Sequence, residues 1–161
     1  MKPDRDEGFY FQQKMIIEKP LKEVFGFFSN AENLQRITPP KLQFKILTSL
    51  PVSMTKGTLI DYQIKLFKVP FKWKTEITEW NPPYRFIDIQ RKGPYRQWIH
   101  THKFEQTEHG VLVTDMVHYK LWGSVFNGLI NRWFVRPQVS NIFEFRRRAL
   151  SNIFHNEYGA E

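Results

Sequence analysis

The apolar positions of this chain change period three times, and the changes divide it into elements. Phe9 to Glu18 is rich in strand formers and is bounded by Pro20, so it is expected to be a first strand. Pro20 then suits the opening of a helix, with Val24, Phe25 and Phe28 gathered on one side. Asn30 suits the cap of a second short helix over Glu32 to Ile37, which Pro39-Pro40 must end. Strands follow. Leu42 to Leu47 is expected to be one, closed by a loop around Pro51 to Gly57. Thr58 to Phe67 puts Ile60, Tyr62, Ile64 and Leu66 on one face and Asp61, Gln63 and Lys65 on the other. Phe71 to Trp80 turns Phe71, Trp73, Thr75 and Ile77 inward and Lys72, Lys74 and Glu76 outward, and Asn81-Pro82-Pro83 breaks it.

The next two strands meet at a turn over Lys92-Gly93-Pro94. On the first, Phe86, Asp88 and Gln90 share a face. On the second, Trp98, His100, His102 and Phe104 do. A last strand, Val111 to Leu121, carries Val113, Asp115, Val117 and Tyr119 on one side, and Gly123 ends it. The period then becomes helical. Phe126, Leu129, Ile130, Trp133 and Phe134, then Val139, Ile142, Phe143, Leu150, Ile153 and Phe154, recur at helical spacing. Pro137 removes an N–H and crowds the carbonyl of Trp133, so a kink or break is expected there. Arg146 interrupts the apolar stripe. The order is strand, two short helices, about six strands and a long helix, which predicts an α+β architecture: an antiparallel sheet whose apolar face is covered by the helix.

Composition adds to this picture. With 161 residues the length prior is one domain, expected over 9–161 after a loose tail at 1–8. Aromatic residues make up 16% of the chain, more than one small core absorbs easily, and a cavity gives them more inner wall to cover. The formal charge of +8 suits an anionic partner, nucleic acid or membrane surface, or mere solubility. The chain has no cysteine, which excludes disulfides and thiolate metal sites. No apolar run approaches the roughly 20 residues of a membrane span. The charged start lacks an apolar signal core, so the cytoplasm is the expected compartment.

Several stretches resemble the START/polyketide-cyclase-like SRPBCC superfamily, the helix-grip fold, and in particular its bacterial ligand-binding branch. They are Asn33-Leu34 with Thr38-Pro39-Pro40, the run from Gly57 to Tyr62, and Trp73 with Thr75. Asp88-x-Gln90, Gly93-Pro94-Tyr95, Trp98-x-His100-x-His102-x-Phe104, Asp115 with Tyr119, and Phe143 with Arg146 complete the set. The resemblance spans roughly Phe9 to Phe154. It implies a curved antiparallel sheet wrapped around a long C-terminal helix, two short helices after the first strand, and a deep pocket for a hydrophobic or amphipathic ligand. The pattern departs at Leu121-Trp122-Gly123, where relatives often have Leu-Pro-x-Gly, and the shape of the cavity mouth is open there.

Strand alternation and the helix stripe bring a polar set inward: Tyr62, Thr75, Asp88, Gln90, His100, His102, Asp115, Tyr119 and Arg146. Buried polar groups need hydrogen bonds and buried charges need partners, so one reading is a satisfied internal network. The other is a network that lines a pocket and orients a ligand's polar head, with Trp73 and Trp98 as apolar wall. Arg91 and Tyr95, near the turn, are expected at the cavity mouth. His100 and His102 are the candidates for general acid–base work in a cyclase, dehydratase or hydrolase. No nucleophile elbow or phosphate loop is present to complete such a mechanism. A metal site of His100 and His102 with Asp88 or Asp115 has no independent support, and neither metal nor cofactor is expected. The expected function is binding of a lipid, isoprenoid or aromatic polyketide type of molecule, with an enzyme in the same cavity as the alternative. A salt-sensitive binder of nucleic acid or an acidic surface comes last, because the aromatics alternate inward.

Overall fold

The structure is a computed structural model that describes residues 8–123 and 125–156. Of the tail expected over 1–8, all but Gly8 lies outside the described residues. Strand β1 (Phe9–Ile17) leads into helix α1 (Leu21–Phe28), a 3₁₀ turn over Ala31–Leu34 and a second over Pro40–Leu42. Six strands follow: β2 (Lys45–Ile46), β3 (Leu59–Leu66), β4 (Val69–Asn81), β5 (Arg85–Lys92), β6 (Gln97–Thr107) and β7 (Gly110–Lys120). The chain ends in a helical run made of α2 (Asn127–Ile130), a π turn (Asn131–Val135) and α3 (Arg136–Asn156).

All strands join one antiparallel seven-stranded sheet in the order β1-β7-β6-β5-β4-β3-β2, and α3 lies along its inner face. The expected α+β helix-grip architecture is the one observed. Register shifts between β4 and β5, at Lys74/Thr75 and Ile77/Glu79, are bulges of the kind that curl a sheet around what it covers.

Most faces follow the period-2 pattern. Ile60, Ile64 and Leu66 of β3, Trp73, Thr75 and Ile77 of β4, and Val113, Asp115, Val117 and Tyr119 of β7 are buried. Along α3 the buried positions are Val139, Phe143, Arg146, Leu150 and Phe154, every third or fourth residue. Two apolar clusters result. One gathers Phe25, Phe27 and Phe28 of α1 with Phe86, Phe104, Leu150 and Phe154. The other gathers Trp73, Tyr95, Val117, Tyr119, Val135, Val139 and Phe143.

Four local expectations are corrected. The second short helix is a 3₁₀ turn ending at Leu34, not Ile37, although Asn30 does cap it, its Oδ1 accepting the Glu32 N–H at 3.0 Å. The strand expected over Leu42–Leu47 shrinks to Lys45–Ile46, because the turn from Pro40 runs to Leu42 and Gln43 is left-handed at φ 46°. The helix does not break at Pro137. The preceding residues wind as a π turn, so Pro137 falls in the first turn of α3, where a missing N–H is tolerated. Finally, Phe126, Leu129, Ile130, Trp133 and Phe134 do not cover the sheet; each is 40–66% exposed. Asn131 and Val135, on the other side of the same run, face inward instead.

Candidate functional site

Between sheet and α3 lies a cavity with room of about 130 Å³. Apolar side chains make most of its wall: Ile60, Ile64 and Leu66 from β3, Phe86 from β5, and Val139, Ile142 and Phe143 from α3. The segment between α1 and β3 closes one side with Leu34, Ile37, Phe44 and Met54. Tyr62 and Trp73 are directly paired across β3 and β4, so their rings stack at 5.7 Å with planes 15° apart. Trp98 meets Trp73 edge-on at 5.5 Å.

The polar end of the wall is built from cross-strand neighbours. The register places Asp88 opposite His100 and His102 opposite Asp115, so four ionisable side chains occupy adjacent inward positions on three strands. The hydrogen bonds run diagonally. His100 Nε2 lies 2.8 Å from Asp115 Oδ1, and His102 Nε2 lies 2.8 Å from Asp88 Oδ2. His102 Nδ1 is also 2.9 Å from Asp115 Oδ1, but off the line of a good hydrogen bond. The rings of His100 and His102 overlap at 3.8 Å, with Phe86 stacked on His102 at 4.1 Å and Phe143 edge-on to His100 at 5.4 Å. The cluster thus sits at the seam of the two apolar clusters.

Protonation follows from this geometry. A ring nitrogen with an exposed lone pair would be repelled by a carboxylate at 2.8–2.9 Å, and both nitrogens of His102 face one. His102 is therefore an imidazolium. Burial works against its proton, but the contacts with Asp115 and Asp88 outweigh burial and raise its pKa above 6.5. Burial and the neighbouring His102 charge lower that of His100, which stays neutral and donates from Nε2 to Asp115. Burial pushes Asp88 and Asp115 upward, yet their histidine hydrogen bonds prevail: Asp88 is lowered and Asp115 well lowered. Arg146 Nη1 stands 3.8 Å from Asp115 Oδ1, its guanidinium 4.9 Å above the Phe143 ring. Two carboxylates, one imidazolium and one guanidinium balance, which is what a buried charge cluster requires.

Besides His102 Nδ1, two donors on the cavity wall are left over. Trp73 Nε1 and Arg146 Nε are buried and have no hydrogen-bond partner among the described residues. Tyr62 Oη and Thr75 Oγ1, also on the wall, share only a long contact of 3.4 Å. Asp88, His100 and His102 could bring three ligand atoms to a metal ion, all within 4.8 Å of one another. In their present arrangement an ion would first have to displace the proton that joins His102 to Asp88.

Of the residues picked out in the sequence, Tyr62, Trp73, Thr75, Asp88, Trp98, His100, His102, Arg146 and Tyr95 line the cavity. Asp115 stands behind the histidines. Three lie elsewhere. The Gln90 side chain clasps the β5–β6 turn, donating to Tyr95 O at 2.7 Å and accepting from its N–H at 3.3 Å. A Cβ on Gly93 would fall 2.4 Å from Gln90 Oε1, so this clasp needs glycine there. Arg91 pairs with Glu76 on the exposed outer face, not at a mouth. Tyr119 is 1% exposed, and its hydroxyl donates to Asn131 Oδ1 at 2.6 Å, fastening the π turn to β7. Asn131 and the wall residues Phe44 and Met54 were not singled out in the sequence; for Asn131 the hint was a polar residue inside an apolar helical run.

No protein-family model matches the chain, and no curated protein matches it in sequence. Solved structures do. TTHA0849 from Thermus thermophilus matches with a TM-score of 0.68 and 19% identity over 95% of this chain and all of that one. Ara h 8.0201 matches with a TM-score of 0.57 and 14% identity, over 90% of this chain and 99% of that one. The di-domain ARO/CYC StfQ of the steffimycin biosynthetic pathway matches with a TM-score of 0.73 and 13% identity, over 97% of this chain and 53% of that one. At these identities the likeness is one of fold, and the fold of this chain is the helix grip.

Proposed function

We propose that the protein binds a hydrophobic or amphipathic small molecule in the cavity between sheet and α3. One observation carries this reading: in a mostly apolar wall, the buried Trp73 Nε1 and Arg146 Nε are both donors without an acceptor. An unmet buried donor costs about 1–3 kcal/mol, more for a charged one, so a ligand that brings acceptor oxygens recovers what the empty cavity forfeits. The occupant is an apolar ring or chain bearing a carboxylate, carbonyl or phenolate oxygen turned toward Trp73 and Arg146. Room of about 130 Å³ is close to that of an apolar cavity that accepts one benzene ring, so a single ring or short chain fits directly. A larger lipid, isoprenoid or polyketide requires the Leu34–Met54 side of the wall to open.

Native mass spectrometry of protein purified from its source tests this. A bound small molecule lost on denaturation is expected; a ligand-free protein that also takes up no member of a panel of fatty acids, isoprenoids and aromatic polyketides would contradict it.

A second reading, an enzyme of cyclase, dehydratase or hydrolase type, rests on His102, an imidazolium on the cavity wall beside a neutral His100. If it holds, His100→Ala and His102→Ala abolish turnover while binding survives. If both variants lose only affinity, the histidines hold the ligand rather than transform it.

A further inference from the structure

The strand register puts the β3–β4 turn, the β5–β6 turn and the connection from β7 to α2 at one end of the sheet. This end is unusually apolar outside. Trp122 is 68% exposed, Val125 78%, Phe126 61%, Leu129 57%, Trp133 66% and Phe134 60%. From Phe126 the exposed positions run i, i+3, i+4, i+7, i+8, an amphipathic stripe in its own right, opposite the buried Asn131 and Val135. The helical run is therefore apolar on two sides, and the sheet uses only one.

A second element adds to the same end. The two-residue turn joining β3 to β4 is Phe67-Lys68, both left-handed at φ 49° and 66°. Such a turn ordinarily takes Asn-Gly, and side chains larger than these are strained there. Here the strained position holds out a Phe that is 57% exposed, followed by Val69 at 50%. Backbone strain kept to present an apolar ring outward suggests a use for the ring.

Charge identifies the partner. No Asp or Glu occurs between Asp115 and Glu144, between Asp61 and Glu76, or between Asp88 and Glu105. These stretches carry Lys65, Lys68, Lys92, Arg132 and Arg136, and Arg132 lies with its guanidinium 5.6 Å from the Trp133 ring centroid. A second copy of the chain would have to bring two basic ends together. Nucleic acid has no use for Val125, Leu129 and Ile130. A surface that is negative outside and apolar just beneath suits both sets of groups, and Trp favours that boundary. No helix among the described residues is long and apolar enough to cross a membrane, so the fit is to lying on one.

We propose that this end of the molecule docks on an anionic lipid bilayer, with Trp122, Phe126, Leu129, Trp133 and Phe134 entering the boundary between headgroups and acyl chains and Lys68, Arg132 and Arg136 meeting the phosphates. The proposal stands apart from the identity of any cavity ligand.

Vesicle flotation tests it, using phosphatidylcholine vesicles with and without phosphatidylglycerol. The full chain floats with the anionic vesicles, far less with the neutral ones, and is released by added salt. The double variants Trp133→Glu with Phe134→Glu and Arg132→Glu with Arg136→Glu each weaken partitioning at least about tenfold. Phe67→Ser, on a different element, weakens it as well, so the test survives if a helix variant misfolds. Thermal unfolding of the variants matches the parent, because the replaced side chains are exposed. No flotation with anionic vesicles, or flotation that all three variants leave intact, overturns the proposal. So does a dimer that the Trp133/Phe134 variant dissolves, or tight binding to an oligonucleotide in place of vesicles.

Discussion

His102 has a carboxylate against each ring nitrogen, and that arrangement sets how stability should depend on pH. The groups facing it are Asp88, Asp115 and His100, with Arg146 behind Asp115. His102 holds its proton more tightly folded than unfolded. Its contribution is complete below the ordinary value of 6.5 and is lost as pH rises through the raised folded value. His100 has the opposite sign: held neutral in the fold, it costs stability as pH falls below 6.5. Asp88 and Asp115, both lowered, contribute fully above 3.8 and lose that contribution as pH falls through their folded values. Thermal midpoints across pH should therefore peak near neutrality, and His102→Gln should flatten the alkaline decline relative to the parent. An unchanged alkaline limb would mean that His102 is not an imidazolium. Asp115→Asn removes the negative charge that faces both histidines and Arg146 and should cost about 3–5 kcal/mol in denaturant unfolding, the usual cost of breaking a buried charge pair. These two histidines were legible as cavity-facing from strand alternation alone. Their diagonal bonding was not, because it depends on a register that sequence period does not specify.

The C-terminal helical run shows where periodicity misleads. Apolar residues at helical spacing from Phe126 to Phe154 read as one stripe facing one core. The run is apolar on two sides near its start, and spacing says nothing about which side the sheet takes. Asn131 decides it: the Tyr119 hydroxyl reaches into the helix for its Oδ1, and the π turn presents Val135 and then Val139 inward. Tyr119→Phe leaves the buried Asn131 oxygen without this donor and should cost about 1–3 kcal/mol, with faster amide exchange over 127–135 than over α3. Uniform exchange along the helix would show that the contact does not anchor its start. Strand faces, by contrast, read correctly from Phe71 to Tyr119, since a period of two leaves only two choices and the apolar side takes the core. The strand after Pro39-Pro40 was read too long, over Leu42–Leu47 where Lys45–Ile46 forms, and the wall residues Phe44 and Met54 were not singled out, because this segment carries no clear period.

At the scale of the whole molecule, the fold separates two kinds of surface. The inner wall is apolar with a charge-balanced patch and spare donors near Arg146; one outer end is apolar and carries Lys68, Arg132 and Arg136. The charge excess was visible in composition but could not be placed, because most aromatics of the strands turn inward, while those of residues 122–134 and the β3–β4 turn, with Tyr10 and Tyr84 elsewhere, do not. The proposed ligand of the inner wall is an acceptor-bearing apolar molecule held through Arg146. The most direct test is calorimetric titration with single-ring and short-chain carboxylic acids, each beside its uncharged hydrocarbon or methyl-ester parent, against the native protein and Arg146→Met. The acids should bind the native protein at least about tenfold more tightly than their parents, with the Arg146→Met variant losing that preference but keeping affinity for the parents. Equal binding of acid and parent, or a preference that survives Arg146→Met, would contradict the account.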